Sequence, residues 1–134
     1  MLATKHMQST EVPTVAFVED DPEIVEVLIV LLQDMGYLVA ACAPGPHTYH
    51  RIVQSQPQLV ILDVRMGHID GIDIFQQLRA DPTMSEIPVI FFTATEQRVT
   101  SRVPHYREMG ASFVIKPSIG QLSERIEQLL PSRA

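Results

Sequence analysis

Thr14-Val15-Ala16-Phe17-Val18-Glu19-Asp20-Asp21-Pro22 decides the fold. The first five residues form a continuous apolar run, the pattern of a parallel strand buried on both faces. Asp21 fits the N-cap of a following helix, and Pro22 fits its first helical position. Similar runs recur at Leu59-Val60-Ile61-Leu62, Val89-Ile90-Phe91-Phe92 and Phe113-Val114-Ile115. In an open α/β sheet the carboxyl ends of such strands meet at the crevice where ligands bind. Glu19, Asp20, Asp63, Thr93 and Lys116 all end or follow these runs, so the reading gathers three acids, a hydroxyl and an ammonium at one edge.

The segments between the runs read as helices and one further strand. Ile24, Val25, Leu28, Leu31, Leu32 and Met35 recur at helical spacing, and Gly36 suits the stop. Tyr37–Ala41 is predicted to be a strand. A turn at Pro44–Pro46 leads to a short helix through about Gln54, and a third helix covers about Ile72–Ala80 after Gly71. The fifth strand is predicted at Ser112–Ile115. The last helix, about Ile119–Leu130, opens with the capping-box pair Ser118 and Gln121 and carries Ile119, Leu122, Ile126 and Leu129 on its apolar face. Five strand–helix pairs with short connections imply one doubly wound α/β sheet. Residues 1–12 are polar and aperiodic, the pattern of a disordered lead. Only Pro131–Ala134 follow the last helix, so no output domain is expected on this chain.

Composition excludes several classes. The 134 residues suffice for one domain with a real core, and 46% of them are hydrophobic against 19% charged. The net charge of -6 argues against a broad nucleic-acid surface. A single cysteine, Cys42, cannot form an internal disulfide, which suits a reducing compartment. No apolar stretch approaches the roughly 20 residues of a membrane span, and the N-terminus lacks a signal-peptide core. A cytoplasmic protein is expected.

The edge residues carry the chemistry. Mg²⁺ favours oxygen ligands and is often held by one or two carboxylates with water and phosphate oxygens. Glu19, Asp20 and Asp63 can supply such ligands, because the strands they follow would be neighbours. A carboxylate can also act as a nucleophile and carry an aspartyl phosphate. Asp63 is the central acid, with Thr93 as hydroxyl donor and Lys116 as fixed cation for phosphoryl charge. Taken singly, Thr93 reads as a cap, Lys116 as a solvated surface charge and Asp63 as a turn residue. Their joint placement is what gives them a role.

Four pieces in order resemble the receiver domain of two-component response regulators, of the chemotaxis-regulator type. They are Val18-Glu19-Asp20-Asp21-Pro22, then Asp63 through Gly71, then Thr93-Ala94, then Lys116-Pro117. The resemblance spans about Pro13 to Leu130, and the receiver domain is assigned to residues 13–134. It implies a flavodoxin-like (βα)5 parallel five-stranded sheet of order 2-1-3-4-5. It also implies a non-enzymatic phosphorylation switch in which Asp63 accepts a phosphoryl group from a histidine kinase. By the same resemblance, Asp20, Asp63 and the Arg65 carbonyl bind Mg²⁺, Glu19 assists through water, and Thr93 and Lys116 contact the phosphoryl oxygens. Phe113 takes the place of a rotating aromatic, although it fits a plain core position equally well. The face formed by the fourth helix, fifth strand and fifth helix would switch, and the Lys116–Pro117 bond is expected to be cis. The implied partners are a sensor histidine kinase or histidine phosphotransfer protein, a downstream protein target and, on activation, a second copy of the chain. Direct contact with nucleic acid or membrane is not expected.

The chain departs from that pattern in three places. Gly67 stands where proline usually follows the methionine, which predicts a looser loop. The stretch Thr95–Met109 is about two residues longer than the pattern leads one to expect. It contains Pro104, which would cost a helix interior about 3 kcal/mol, so either a late start near Ser101–Arg102 or a break before Pro104 is expected. Asp70 is read as shaping the turn before Gly71. Rival classes lack their residues. A haloacid-dehalogenase phosphatase needs an acid where Arg65 stands, and an EF-hand needs oxygen ligands where Arg65 and Gly67 stand. An FMN binder needs a glycine- and hydroxyl-rich loop after the first strand. His6, His47, His50, His68 and His105 form no ligand motif. The remaining alternative is a receiver-like interaction module that works without phosphorylation.

Overall fold

Residues on β1 (Thr14–Val18) alternate between two cores, and this alternation organises the whole molecule. The structure, a computed structural model, describes residues 11–130, so most of the expected disordered lead lies outside the described residues. Val15 and Phe17 face one layer, where Leu28 and Leu32 of α1 (Pro22–Asp34) pack with Leu122 and Ile126 of α5 (Ile119–Leu129). Ala16 and Val18 face the other layer. There they meet Ile52 of α2 (Thr48–Ser55), Phe75 and Leu78 of α3 (Gly71–Ala80) and Val99 of α4 (Gln97–Arg102). Each large apolar side chain fully buried in this way contributes roughly 1.5–3 kcal/mol. The two-sided core therefore outweighs any single cap or ion pair in holding the sheet.

The main sheet also contains β2 (Leu38–Cys42), β3 (Leu59–Leu62), β6 (Val89–Thr93) and β7 (Ala111–Ile115). Their order is β2-β1-β3-β6-β7, all parallel, which is the expected 2-1-3-4-5 arrangement once a short hairpin is set aside. That hairpin is β4 (Arg65–Met66) with β5 (Ile69–Asp70), paired antiparallel. It corrects the expectation of a looser loop. Gly67 sits at φ +63°, a conformation closed to proline, and makes a two-residue connection that lets Arg65 pair with Asp70.

Helix ends follow local chemistry. Asp21 caps α1 by accepting from the Glu23 N–H at 3.0 Å, with Pro22 in the first turn. Gly36 at φ +91° closes the same helix, where the Gly36 N–H bonds Gln33 O and the Tyr37 N–H bonds Leu32 O, both at 3.0 Å. Because Tyr37 is still closing the helix, β2 starts one residue later than its apolar pattern suggests. Ser118 caps α5 through the Gln121 N–H at 3.4 Å. At Pro104 the expected break occurs and the late start does not. α4 ends at Arg102, Val103 leaves helical geometry at φ -135°, and residues 104–110 form successive turns.

Gly71 fixes the approach of α3 to the sheet edge. Its N–H donates to Val64 O at 2.8 Å, and a Cβ built there would lie 1.9 Å from the Asp63 carbonyl oxygen. That clash is with backbone and cannot be relieved by a rotamer change. Gly71→Ala is therefore expected to destabilise the domain at the upper end of the roughly 1–3 kcal/mol typical of overpacking. Urea unfolding measures this, and a midpoint equal to wild type would contradict the close approach.

Candidate functional site

Asp63 follows β3 directly, between the ends of β1 and β6, and is only 6% exposed. Its N–H donates to Val18 O at 3.2 Å, which extends the β1–β3 ladder by one bond and sets the side chain beside the acids that follow β1. Glu19 is buried and Asp20 is exposed. Carboxylate oxygens of Glu19, Asp20 and Asp63 lie within 4.8 Å of one another. That is an all-oxygen donor set open to solvent on one side, which fits a hard divalent cation that retains several waters.

Lys116 neutralises the buried side of the cluster. Its Nζ is 2.9 Å from Asp63 Oδ2 and 2.9 Å from Glu19 Oε1. The second Asp63 oxygen, Oδ1, accepts the Val64 N–H at 2.8 Å. Each oxygen accepts one of these bonds and keeps further lone-pair capacity, so the carboxylate is oriented without being saturated. Lys116 itself is placed by its N–H bond to Thr93 O at 2.9 Å, and a cis Lys116–Pro117 bond follows, as expected. Thr93 ends β6 and is buried beside Ile115 of β7. Arg65 is exposed on β4, its backbone pinned by the pairing with Asp70. Phe113 is half-buried against the core layer that holds Phe91.

Both partners of the Lys116–Glu19 pair titrate above their ordinary values, for different reasons. Burial opposes the Lys116 ammonium, but hydrogen bonds to Glu19 and Asp63 and their negative charge outweigh it. For Glu19 burial is the largest effect; it overcomes the bonds from Lys116 and the Asp21 N–H, and the Asp63 charge adds to it. Ionised Glu19 is thus disfavoured by folding. The stability associated with its protonated form is complete below the ordinary pKa of 4.5 and is lost as pH rises through the higher folded value. Glu19→Gln is accordingly expected to raise the urea midpoint at pH 7, with the gain disappearing as pH falls below about 4.5. An unchanged or lower midpoint at pH 7 would contradict the burial argument.

Sequence reasoning missed one cluster near the site. Asp70 caps α3, accepting the Ile72 N–H at 2.8 Å on Oδ1, as its turn-shaping reading expects. Its Oδ2, however, also receives Arg98 and Arg102 of α4, each at 2.8 Å. Two arginines four residues apart on one helix face were a visible signal. Their acidic partner on another element was not.

An oxygen-rich acidic site at the carboxyl edge of a five-stranded parallel α/β sheet defines the class, and comparison with known proteins gives the family. The family profile described as "Response regulator receiver domain" matches residues 15–127. The chain is 36% identical over 115 residues to the probable transcriptional regulator ycf27 of Cyanophora paradoxa, covering 84% of this chain and 46% of that protein. It is 29% identical over 119 residues to the DNA-binding dual master transcriptional regulator RpaA of Synechocystis, covering 88% of this chain and 49% of that protein. Among solved structures, the response regulator TrrA of Thermotoga maritima, crystallised with Mg²⁺ and BeF, matches with TM-score 0.75 and 25% identity over 88% of this chain and 99% of that one. The chemotaxis response regulator CheY4 of Vibrio cholerae shares the fold, with TM-score 0.76 at 20% identity over 90% of this chain and all of that one. The chain belongs to the response regulator receiver domain family, the phosphorylation-switch modules of two-component signal transduction.

The chain spans about half the length of the curated relatives it matches. The expectation of no contact with nucleic acid finds no support in them, since RpaA is named as DNA-binding. Among the described residues, no helix is long and apolar enough to cross a membrane.

Proposed function

We propose that Asp63 is the phosphoacceptor of this receiver domain, whose extent we take as residues 13–134. The observation that carries the reading is the convergence on Asp63: Lys116 Nζ at 2.9 Å on one oxygen, the Val64 N–H on the other, and two further acids within 4.8 Å. In the transfer, an Asp63 oxygen attacks the phosphorus of a phosphohistidine in line. The P–N bond breaks, the imidazole leaves and an acyl phosphate forms. Asp20, Asp63 and the Arg65 carbonyl would hold Mg²⁺, with Glu19 assisting through water, and the bound ion would supply charge neutralisation at the phosphoryl oxygens. Lys116 holds the carboxylate in place and compensates the added charge, and the Thr93 hydroxyl donates a hydrogen bond to a phosphoryl oxygen.

A phosphoryl group adds a charge of about -1.5 to -2. Drawing Thr93 towards that charge frees space for Phe113 to follow, and this biases the face formed by α4, β7 and α5 between two populations. The donor is a sensor histidine kinase or a histidine phosphotransfer protein in the cytoplasm. The reader is a protein target or a second copy of the chain. On this reading the chain is a switch, with no turnover reaction of its own on a small-molecule substrate.

Acetyl phosphate labelling in Mg²⁺ tests the assignment. Asp20→Ala should abolish Mg²⁺ binding in calorimetry and abolish labelling, while the fold persists. Unchanged Mg²⁺ affinity would overturn the ligand assignment. A wild-type chain that takes no label would instead favour an interaction module independent of phosphorylation. A second variant addresses lifetime. Arg65 is exposed two residues beyond Asp63, where a long side chain screens the acyl phosphate from water. Arg65→Ala should lose label faster than wild type in a radiolabel chase, and equal decay would refute the screening.

A further inference from the structure

Asp70 joins two parts of the molecule that the switch described above treats separately. On one side its backbone is the rung opposite Arg65 in the β4–β5 hairpin, and the next residue, Gly71, bonds Val64 and abuts the Asp63 carbonyl. On the other side its Oδ2 receives both Arg98 Nη2 and Arg102 Nη1, and Arg102 also reaches Asp73 at 2.9 Å. α4 is six residues long, buries one side chain, Val99, and stops before Val103 and Pro104; its N-cap residue Glu96 is tied separately, accepting from the Tyr106 hydroxyl at 2.7 Å and pairing with Arg107.

The shared Asp70 side chain is 14% exposed while Arg98 and Arg102 are 37% and 36% exposed, so solvent screens these pairs in part. The Arg98 guanidinium is anchored by its Nη2 bond to Asp70 Oδ2 at 2.8 Å.

We propose that Arg98 and Arg102 are positioning residues for the loop that carries Asp63 and Arg65. Through Asp70 they couple the order of α4 to occupation of the acidic site by a divalent cation. This inference rests on the metal assignment made above, and it adds a route to α4 that does not pass through Thr93 or Phe113. Coupling between two sites is reciprocal: a cation at the acids orders α4, and loss of the clamp weakens the cation.

The test uses the full chain with Mg²⁺ alone as probe, comparing wild type, the double variant Arg98→Gln/Arg102→Gln, Asp70→Asn and Asp73→Asn. Asparagine at position 70 preserves the helix cap and removes the charge. Calorimetry gives the Mg²⁺ affinity, and hydrogen exchange reads residues 97–102 with and without Mg²⁺. In wild type, Mg²⁺ should slow exchange in α4. The double variant and Asp70→Asn should lose that response and bind Mg²⁺ at least about fivefold more weakly, with exchange in α1 unchanged. Asp73→Asn should keep both properties. If the double variant does not fold, Asp70→Asn decides. Wild-type affinity and an intact α4 response in the clamp variants would overturn the coupling alone, as would a wild-type α4 that ignores bound Mg²⁺. A wild-type chain that binds no Mg²⁺ would overturn the metal assignment and the coupling together.

Discussion

The ion pairs of Lys116 with Asp63 and Glu19 are the constraint around which the carboxyl edge of the sheet is built. Two carboxylates with 6% and 4% exposure cannot be withdrawn from water without a compensating cation. Desolvation costs several kcal/mol per ion, and removing one partner of such a pair leaves an uncompensated buried charge. Placing Lys116 there requires β7 to lie next to β6, which the bond from its N–H to Thr93 O secures. It also requires β1 and β3 to be neighbours, which the bond from Asp63 N–H to Val18 O secures. The strand order is thus the arrangement that allows one ammonium to serve two acids arriving on different strands.

The third acid is treated differently. Asp20 stays exposed, outside the pair that Lys116 compensates. Excess negative charge consequently remains on the solvent side of the cluster, where a cation can reach it with its waters. The close contact at Gly71 and the hairpin turn at Gly67 hold the following loop against the same edge. Rigid backbone on two sides and an open third side make a site that is oriented yet accessible.

Much of this was legible in the sequence. The four apolar runs give four of the five main strands because a doubly buried parallel strand favours continuous apolar residues, and Asp21-Pro22 and Gly36 mark helix ends through local bonding alone. Glu19, Asp20, Asp63, Thr93 and Lys116 could be gathered at one edge because each ends or follows a strand, so the topology places them before any distance is known, whereas Arg65 rests on the family resemblance alone. Two features were hidden. The β4–β5 hairpin is too short to show periodicity, and it depends on a positive φ at Gly67, which composition alone reads only as looseness. The clamp of Arg98 and Arg102 on Asp70 is a contact between separate elements. Nothing in the spacing of α4 shows that its basic face meets the cap of α3 and not solvent.

The central claim is that, of three clustered carboxylates, the nucleophile is Asp63, the one held by both Lys116 and the Val64 N–H. The most direct test is to phosphorylate the chain with acetyl phosphate in Mg²⁺, trap the product with borohydride and locate the modified residue by mass spectrometry. Borohydride reduces an aspartyl phosphate to homoserine and leaves free carboxylates untouched. The account predicts homoserine at position 63, dependent on Mg²⁺. Modification at residue 19 or 20 with Asp63 intact, or labelling that survives Asp63→Asn, would contradict it.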